Sequence, residues 1–127
     1  MNKRFAIIGV GKWGPKIART ISSSQSLDLI AAVTSKSYRE LQEIAPFSGI
    51  IFKAYQELSN LGGKLDGVVI ATPPQGREKI IEYFLDSGMP VFAEKPLTLG
   101  ARETARLVDK ARRTGIPLME DFTHLYT

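Results

Sequence analysis

The sequence predicts a doubly wound parallel α/β sheet of about six strands in a single domain, and three observations carry that expectation. Short apolar runs rich in Ile, Val and Ala alternate with segments of helical period along the whole chain. The first run, Arg4 to Ile8, leads directly into Gly9-Val10-Gly11-Lys12-Trp13-Gly14, a G-x-G-x-x-G pattern lying between a strand and a helix. The chain has 127 residues, 43% of them hydrophobic and 24% charged, which suffices for one core and is too apolar for a disordered tail.

Gly9 closes the first strand, and a helix is expected from about Trp13 to Ser23 with Ile17, Ala18 and Ile21 on its inner face. Pro15 lacks an N–H and suits the first helical turn, while the polar run Ser22 to Ser26 ends the helix. Leu27 to Val33 is the second strand, Tyr38 to Ala45 a short helix stopped by Pro46, and Ile50 to Phe52 a short third strand. A helical turn at Tyr55 to Leu58 gives way to Asn60-Leu61-Gly62-Gly63, a loop by composition. Asp66 to Ala71 is the fourth strand, which Pro73-Pro74 forbids from continuing.

Gln75 to Ser87 has the strongest helical pattern. Ile80, Ile81, Phe84 and Leu85 form its inner face, Arg77, Glu78, Glu82 and Asp86 its outer face, and Gly88 its stop. Val91 to Ala93 begins the fifth strand. A helix from Leu99-Gly100 to about Thr114 turns Leu107, Val108 and Ala111 inward and ends at Gly115, before a sixth strand from Ile116 to Met119. Asp66 and Asp86 read as turn and cap residues, and Met119 and Phe122 as core or contact residues. The segment Glu120 to Thr127 has no breaker and carries Phe122, Leu125 and Tyr126. Its apolar character suggests a contact with further chain or with a second copy, so a homo-oligomer is expected.

Composition excludes whole classes of chemistry. With no cysteine, a disulfide framework, a zinc ribbon, an iron–sulfur cluster and a thiol nucleophile all fall away, and no metal site is expected. No apolar run approaches the roughly 20 residues of a membrane-spanning helix, and Met1 to Arg4 leads to a glycine rather than a cleavage site. A cytoplasmic location is the default. The formal charge of +4 suits an anionic ligand. Arg102, Arg106, Lys110 and Arg113 share one side of a helix, which could suggest nucleic acid. Glu103 and Asp109 dilute that charge, however, and cations near a helix C-terminus complement its dipole, so a solvated face is the reading preferred. His124, the single histidine, reads as a surface or packing residue.

Each glycine of the first loop has a task if a dinucleotide binds there. Gly9 makes the tight turn, Gly11 lets backbone approach a pyrophosphate, and Gly14 lets the helix close on the strand. The helix N-terminus adds unpaired N–H groups and about half a positive charge, with Lys12 and Trp13 at the rim of the site. Many NAD binders place Asp or Glu about 20 residues further on, against the ribose hydroxyls. Here that stretch is Thr34-Ser35-Lys36-Ser37, which contains no acid. Two hydroxyls and an ammonium suit a 2′-phosphate, with Arg39 as a second cation, and so favour NADP over NAD. The same residue types also make an ordinary solvated loop.

Later motifs add a resemblance. Ala71-Thr72-Pro73-Pro74 ends the fourth strand, and Ala93-Glu94-Lys95-Pro96 ends the fifth. With the glycine loop and its Trp13-Gly14-Pro15, the chain resembles the N-terminal Rossmann domain of the glucose–fructose oxidoreductase, inositol dehydrogenase and MocA family (Gfo/Idh/MocA), especially members acting on sugars and nucleotide sugars. The resemblance implies that Thr72, Pro73 and Pro74 line the cofactor and that Glu94 and Lys95 border the nicotinamide. It further implies that Lys95 acts catalytically by reaching a substrate hydroxyl. A lysine there can donate to the oxygen whose charge changes in hydride transfer, although Glu94-Lys95 could also be a surface ion pair.

The family commonly has histidines after the Thr-Pro pair, where this chain has Gln75 and Arg77. Family members also continue into a C-terminal substrate domain that nothing in residues 1–127 matches. The expected function is therefore an NAD(P)-dependent oxidoreductase domain for a sugar-like alcohol or carbonyl, with no nucleic-acid or membrane partner. Alone, it should bind cofactor better than it turns over. The alternative is a non-catalytic dinucleotide-binding module, such as a redox sensor or an assembly subunit.

Overall fold

The computed structural model describes residues 2–9, 26–44, 49–93 and 96–120. Its strands are β1 (Lys3–Ile8), β2 (Leu27–Val33), β3 (Ile50–Phe52), β4 (Gly67–Ile70), β5 (Val91–Ala93) and β6 (Leu118–Met119). Its helices are α1 (Tyr38–Ile44), α2 (Arg77–Asp86) and α3 (Ala101–Thr114), with a 3₁₀ segment at Tyr55–Lys64. The helix expected over 13–23 and the apolar segment over 121–127 lie outside the described residues.

Every strand pair is parallel, and the sheet order is β3-β2-β1-β4-β5-β6. Parallel strands are covered on both faces, which explains why their sequences are nearly unbroken apolar runs rather than alternating ones. Successive residues still point to opposite sides. Ala6, Ile8, Val68 and Ile70 pack on one face with Leu58, Ile81, Phe84, Leu85, Leu107 and Ala111, whereas Phe5, Ile7 and Val69 pack on the other with Leu41 of α1. A sheet with helices on both faces is what the alternating sequence pattern predicts.

The main differences lie in how the helices dock. The 3₁₀ segment is bent at Gly62 and Gly63, so the expected loop there is two short turns joined at a kink. Val108, expected inside, is 37% exposed. Only Leu107 and Ala111 of α3 are fully buried among its described residues, because α3 meets α2 partly through charge. Arg106 pairs with Glu78 and, at 2.5 Å, with Glu82, while Lys110 pairs with Asp86 and, at 3.2 Å, with Glu82. Asp86 is thus an ion-pair partner rather than a cap. The basic side of α3 is in part committed to α2, which weakens any nucleic-acid reading of it. Asp66 behaves as a turn residue: its carboxylate accepts the Arg4 N–H at 2.8 Å and fixes the start of β4 against β1. That hydrogen bond holds its carboxyl below the ordinary value.

Candidate functional site

Parallel strands end on a common edge, and the candidate residues gather at the carboxyl edge of this sheet. Gly9 follows β1, Thr34 follows β2, Lys53 follows β3 and Thr72 lies just beyond β4. Backbone hydrogen bonds extend to that edge: Gly9 donates to Val33 at 2.8 Å, Thr34 to Phe52 at 3.0 Å, and Ala71 to Ile8 at 2.9 Å. From β1 the chain builds outward to β2 and β3, then crosses to β4 on the opposite side. Such a reversal opens a crevice beyond the strand ends, and ligands of open α/β sheets lie in it.

Gly9 borders that crevice at φ +82°, in the left-handed region. A Cβ there would lie 2.8 Å from the Thr72 methyl carbon and 3.3 Å from the Thr72 nitrogen, so neither the backbone angle nor the space admits a side chain. Beside it, the Thr72 hydroxyl is buried and has no hydrogen-bond partner among the described residues. Bare backbone next to a buried hydroxyl with free hydrogen-bonding capacity fits a polar group approaching closely, as a pyrophosphate and its ribose would. Gly11, Lys12, Trp13, Gly14, Glu94 and Lys95 lie outside the described residues.

At the end of β2, the buried Thr34 accepts the Lys36 N–H on its hydroxyl at 3.1 Å, a local turn that sets the course of Ser35-Lys36. Ser37 and Glu40 then cap α1 reciprocally, with the Ser37 N–H donating to Glu40 at 3.0 Å and the Glu40 N–H donating to Ser37 at 3.2 Å. The Ser37 N–H, with help from its hydroxyl and from Lys36 and Lys53, holds the Glu40 carboxyl below its ordinary value. Lys53 donates from Nζ to the Ser35 carbonyl at 3.4 Å. Lys53 thus brings a cation to this loop that the sequence did not single out, while Arg39 is exposed on α1. The β2–β3 register, Val33 opposite Phe52, makes the residues following both strands neighbours, and this pairing is the signal that could have found Lys53.

On the other side of the crevice, Arg77 departs from its expected outward position and is 4% exposed. Its Nη1 donates to the Pro96 carbonyl at 2.6 Å and its Nη2 to the Thr72 carbonyl. One side chain thus bridges the loop after β4, with Thr72-Pro73-Pro74, and the segment that follows Glu94-Lys95. Thr98 anchors the next step. Its buried hydroxyl accepts the Gly100 N–H at 3.2 Å and meets the Thr104 hydroxyl at 2.8 Å, fixing the start of α3.

Residues 3–122 match the profile of the Gfo/Idh/MocA oxidoreductase family, described by its NAD-binding Rossmann fold. The chain belongs to that family. It is 30% identical over 132 residues to inositol 2-dehydrogenase from Rhodococcus erythropolis, a match covering 98% of this chain and 38% of that protein. It is also 30% identical over 125 residues to D-xylose 1-dehydrogenase (NADP(+)) 2 from Haloferax volcanii, covering 96% of this chain and 38% of the other. A crystal structure of a protein from Magnetospirillum magnetotacticum superposes with a TM-score of 0.83 at 29% identity, over 98% of this chain and 40% of that one. The chain therefore spans about two-fifths of the length of these relatives. Within the Gfo/Idh/MocA fold, Gly9, Thr34 and Thr72 lie at the carboxyl edge, with Ser35-Lys36 and Pro73-Pro74 directly after Thr34 and Thr72 in the chain. Among the described residues, no helix is long and apolar enough to cross a membrane.

Proposed function

We propose that this chain is the cofactor-binding domain of an oxidoreductase that moves a hydride between a nicotinamide dinucleotide and a sugar-like alcohol or carbonyl. The observation that carries the reading is the bare approach of Gly9 to Thr72 at the β1–β4 reversal, in a chain of this family. Gly9, Gly11 and Gly14, with Lys12 and Trp13, would seat the pyrophosphate. Thr34, Ser35 and Lys36 would meet the adenosine ribose, and Thr72, Pro73 and Pro74 would line the far half. Glu94 and Lys95 would border the nicotinamide, with Lys95 orienting or protonating the reacting oxygen. When bound, the cofactor supplies the hydride chemistry; the chain supplies binding, orientation and a proton donor.

NADP is the cofactor favoured. The end of β2 offers Ser35 and Lys36 rather than an acid, Lys53 adds a second ammonium there, and the nearest carboxylate along the chain, Glu40, is engaged by the Ser37 N–H. The family is described as NAD-binding while the Haloferax relative is named for NADP(+), so the choice rests on these local residues. Substrate contacts other than that of Lys95 would come from outside residues 1–127, since hydride transfer needs a substrate held over the nicotinamide and shielded from water.

Parallel titrations with NADPH and NADH, followed by Trp13 fluorescence and melting temperature, test the cofactor reading. Saturable quenching with a raised melting temperature, stronger for NADPH, is the expected result. Unchanged spectra and melting at saturating dinucleotide would overturn it. In an active enzyme containing this domain, Lys95→Ala should reduce turnover with little change in cofactor affinity. Undiminished turnover removes Lys95 from the chemistry and favours the non-catalytic module.

A further inference from the structure

Two loops flank the far half of the crevice. One leaves β4 at Thr72, the other leaves β5 through Pro96, and the whole of α2 separates them in sequence. Arg77, the first residue of α2, spans the gap with one hydrogen bond to each.

This placement is costly, which makes it informative. A guanidinium that is 4% exposed has lost most of its hydration. It also sits in the first turn of a helix, where the macrodipole already presents positive charge. Docking of α2 does not call for it, because Ile81, Phe84 and Leu85 already bury that helix against the sheet. What the guanidinium offers is geometry. Its planar fork directs two N–H groups at once to two carbonyls on separate loops, and the bonds are charge-assisted. A lysine ammonium at the end of a flexible stem has no such fork.

We infer that Arg77 is a positioning residue that sets the spacing between Thr72 and the Pro96 segment, and through it the grip on the nicotinamide end of the dinucleotide. The inference rests on the cofactor reading above. It separates the two halves of the ligand: the adenosine half, met by residues after β1 and β2, does not depend on the clamp, and the nicotinamide half does.

The test compares NADPH with 2′-phospho-ADP-ribose, which keeps the adenosine half and the diphosphate but lacks nicotinamide. Both are titrated by calorimetry into the full chain and into Arg77→Lys and Arg77→Met, with circular dichroism and melting as controls of folding. Wild type should bind NADPH more tightly than the truncated ligand. In either folded variant, NADPH affinity should fall about tenfold while that of 2′-phospho-ADP-ribose stays within about twofold, erasing the difference. Lysine retains the charge and methionine the unbranched length, so a folding failure of one leaves the other to decide. A folded variant that keeps the wild-type advantage of NADPH overturns the proposal. So does an equal loss for both ligands, the mark of a general structural role, and so do equal wild-type affinities. A wild type that binds neither ligand brings down the cofactor reading itself.

Discussion

Where β1 meets β4, Gly9 leaves no room for a side chain beside the Thr72 methyl; where β2 meets β3, the exposed Lys53 ammonium reaches the carbonyl of the exposed Ser35. The first region is fixed by steric exclusion. No side chain suits this position, since the backbone is left-handed and a Cβ would lie 2.8 Å from the Thr72 methyl carbon. The second is held by single hydrogen bonds, one of 3.1 Å from the Lys36 N–H to the buried Thr34 hydroxyl and one of 3.4 Å from the Lys53 ammonium, whose exposed side chain can swing or be replaced. The contrast teaches a division of labour: close packing decides whether a dinucleotide fits at all, and exposed charge decides which one. Charges near water are screened by salt, but contact is not.

Gly9→Ala should have the largest effect. A residue with a Cβ at this φ costs roughly 1–2 kcal/mol, and displacing the β-branched Thr72 adds an overpacking cost of about 1 kcal/mol or more. The expected outcome is a lower urea midpoint together with a loss of about 30-fold or more in dinucleotide affinity, equal for NADPH and NADH. A variant that binds both normally would show that the close approach is no part of the site and would break the comparison at its steric end.

Lys36→Ala and Lys53→Ala address the other end. Removing Lys36 should weaken NADPH by about tenfold and removing Lys53 by about threefold, with NADH little affected in either case. Raising the ionic strength should narrow the wild-type preference in the same direction. Equal losses for both cofactors would mean that these lysines support the loop rather than read a 2′-phosphate. Lys36→Glu sharpens the point, because a carboxylate repels the phosphate and can accept from ribose hydroxyls; NADH should then be preferred.

The two regions were not equally legible in the sequence. Gly9 and Thr72 could be found because a strand-terminal glycine loop and a Thr-Pro-Pro break leave local marks, and the parallel alternation of elements forces both to one edge. The strands themselves were legible for the same reason, since burial on both faces makes each an unbroken apolar run. Lys53 was missed because its relevance depends on β3 pairing with β2, a fact about register rather than about neighbours in sequence. Arg77 was misread for a physical reason as well. Helical periodicity places a residue on a face but cannot reveal that a charged group at the first turn will fold back under two loops and find carbonyls there. Val108 errs the other way: its apolar side chain is displaced outward because α3 docks on α2 through Arg106 and Lys110 as well as through Leu107 and Ala111.

The α2–α3 ion pairs allow the smallest and most discriminating prediction, because α2 also carries Arg77 as its first residue. Hydrogen bonds from Arg106, then from Lys110, hold the Glu82 carboxyl below its ordinary value of 4.5. A carboxyl lowered in the folded state contributes stability that is present above the unfolded value and lost as pH falls through the folded one. Lys110 is raised above its ordinary 10.5, chiefly by Asp86, so its share is present below that value and fades as pH rises above it. Glu82→Gln should therefore lower the melting temperature by a few degrees at neutral pH, and the gap from wild type should close below about pH 4.5. The variant should bind NADPH and 2′-phospho-ADP-ribose as wild type does, since the Arg77 contacts and the Gly9–Thr72 approach are untouched. If NADPH alone weakens, the position of the nicotinamide-side loops is governed by how α2 lies on α3, and the steric region is less self-contained than its packing implies.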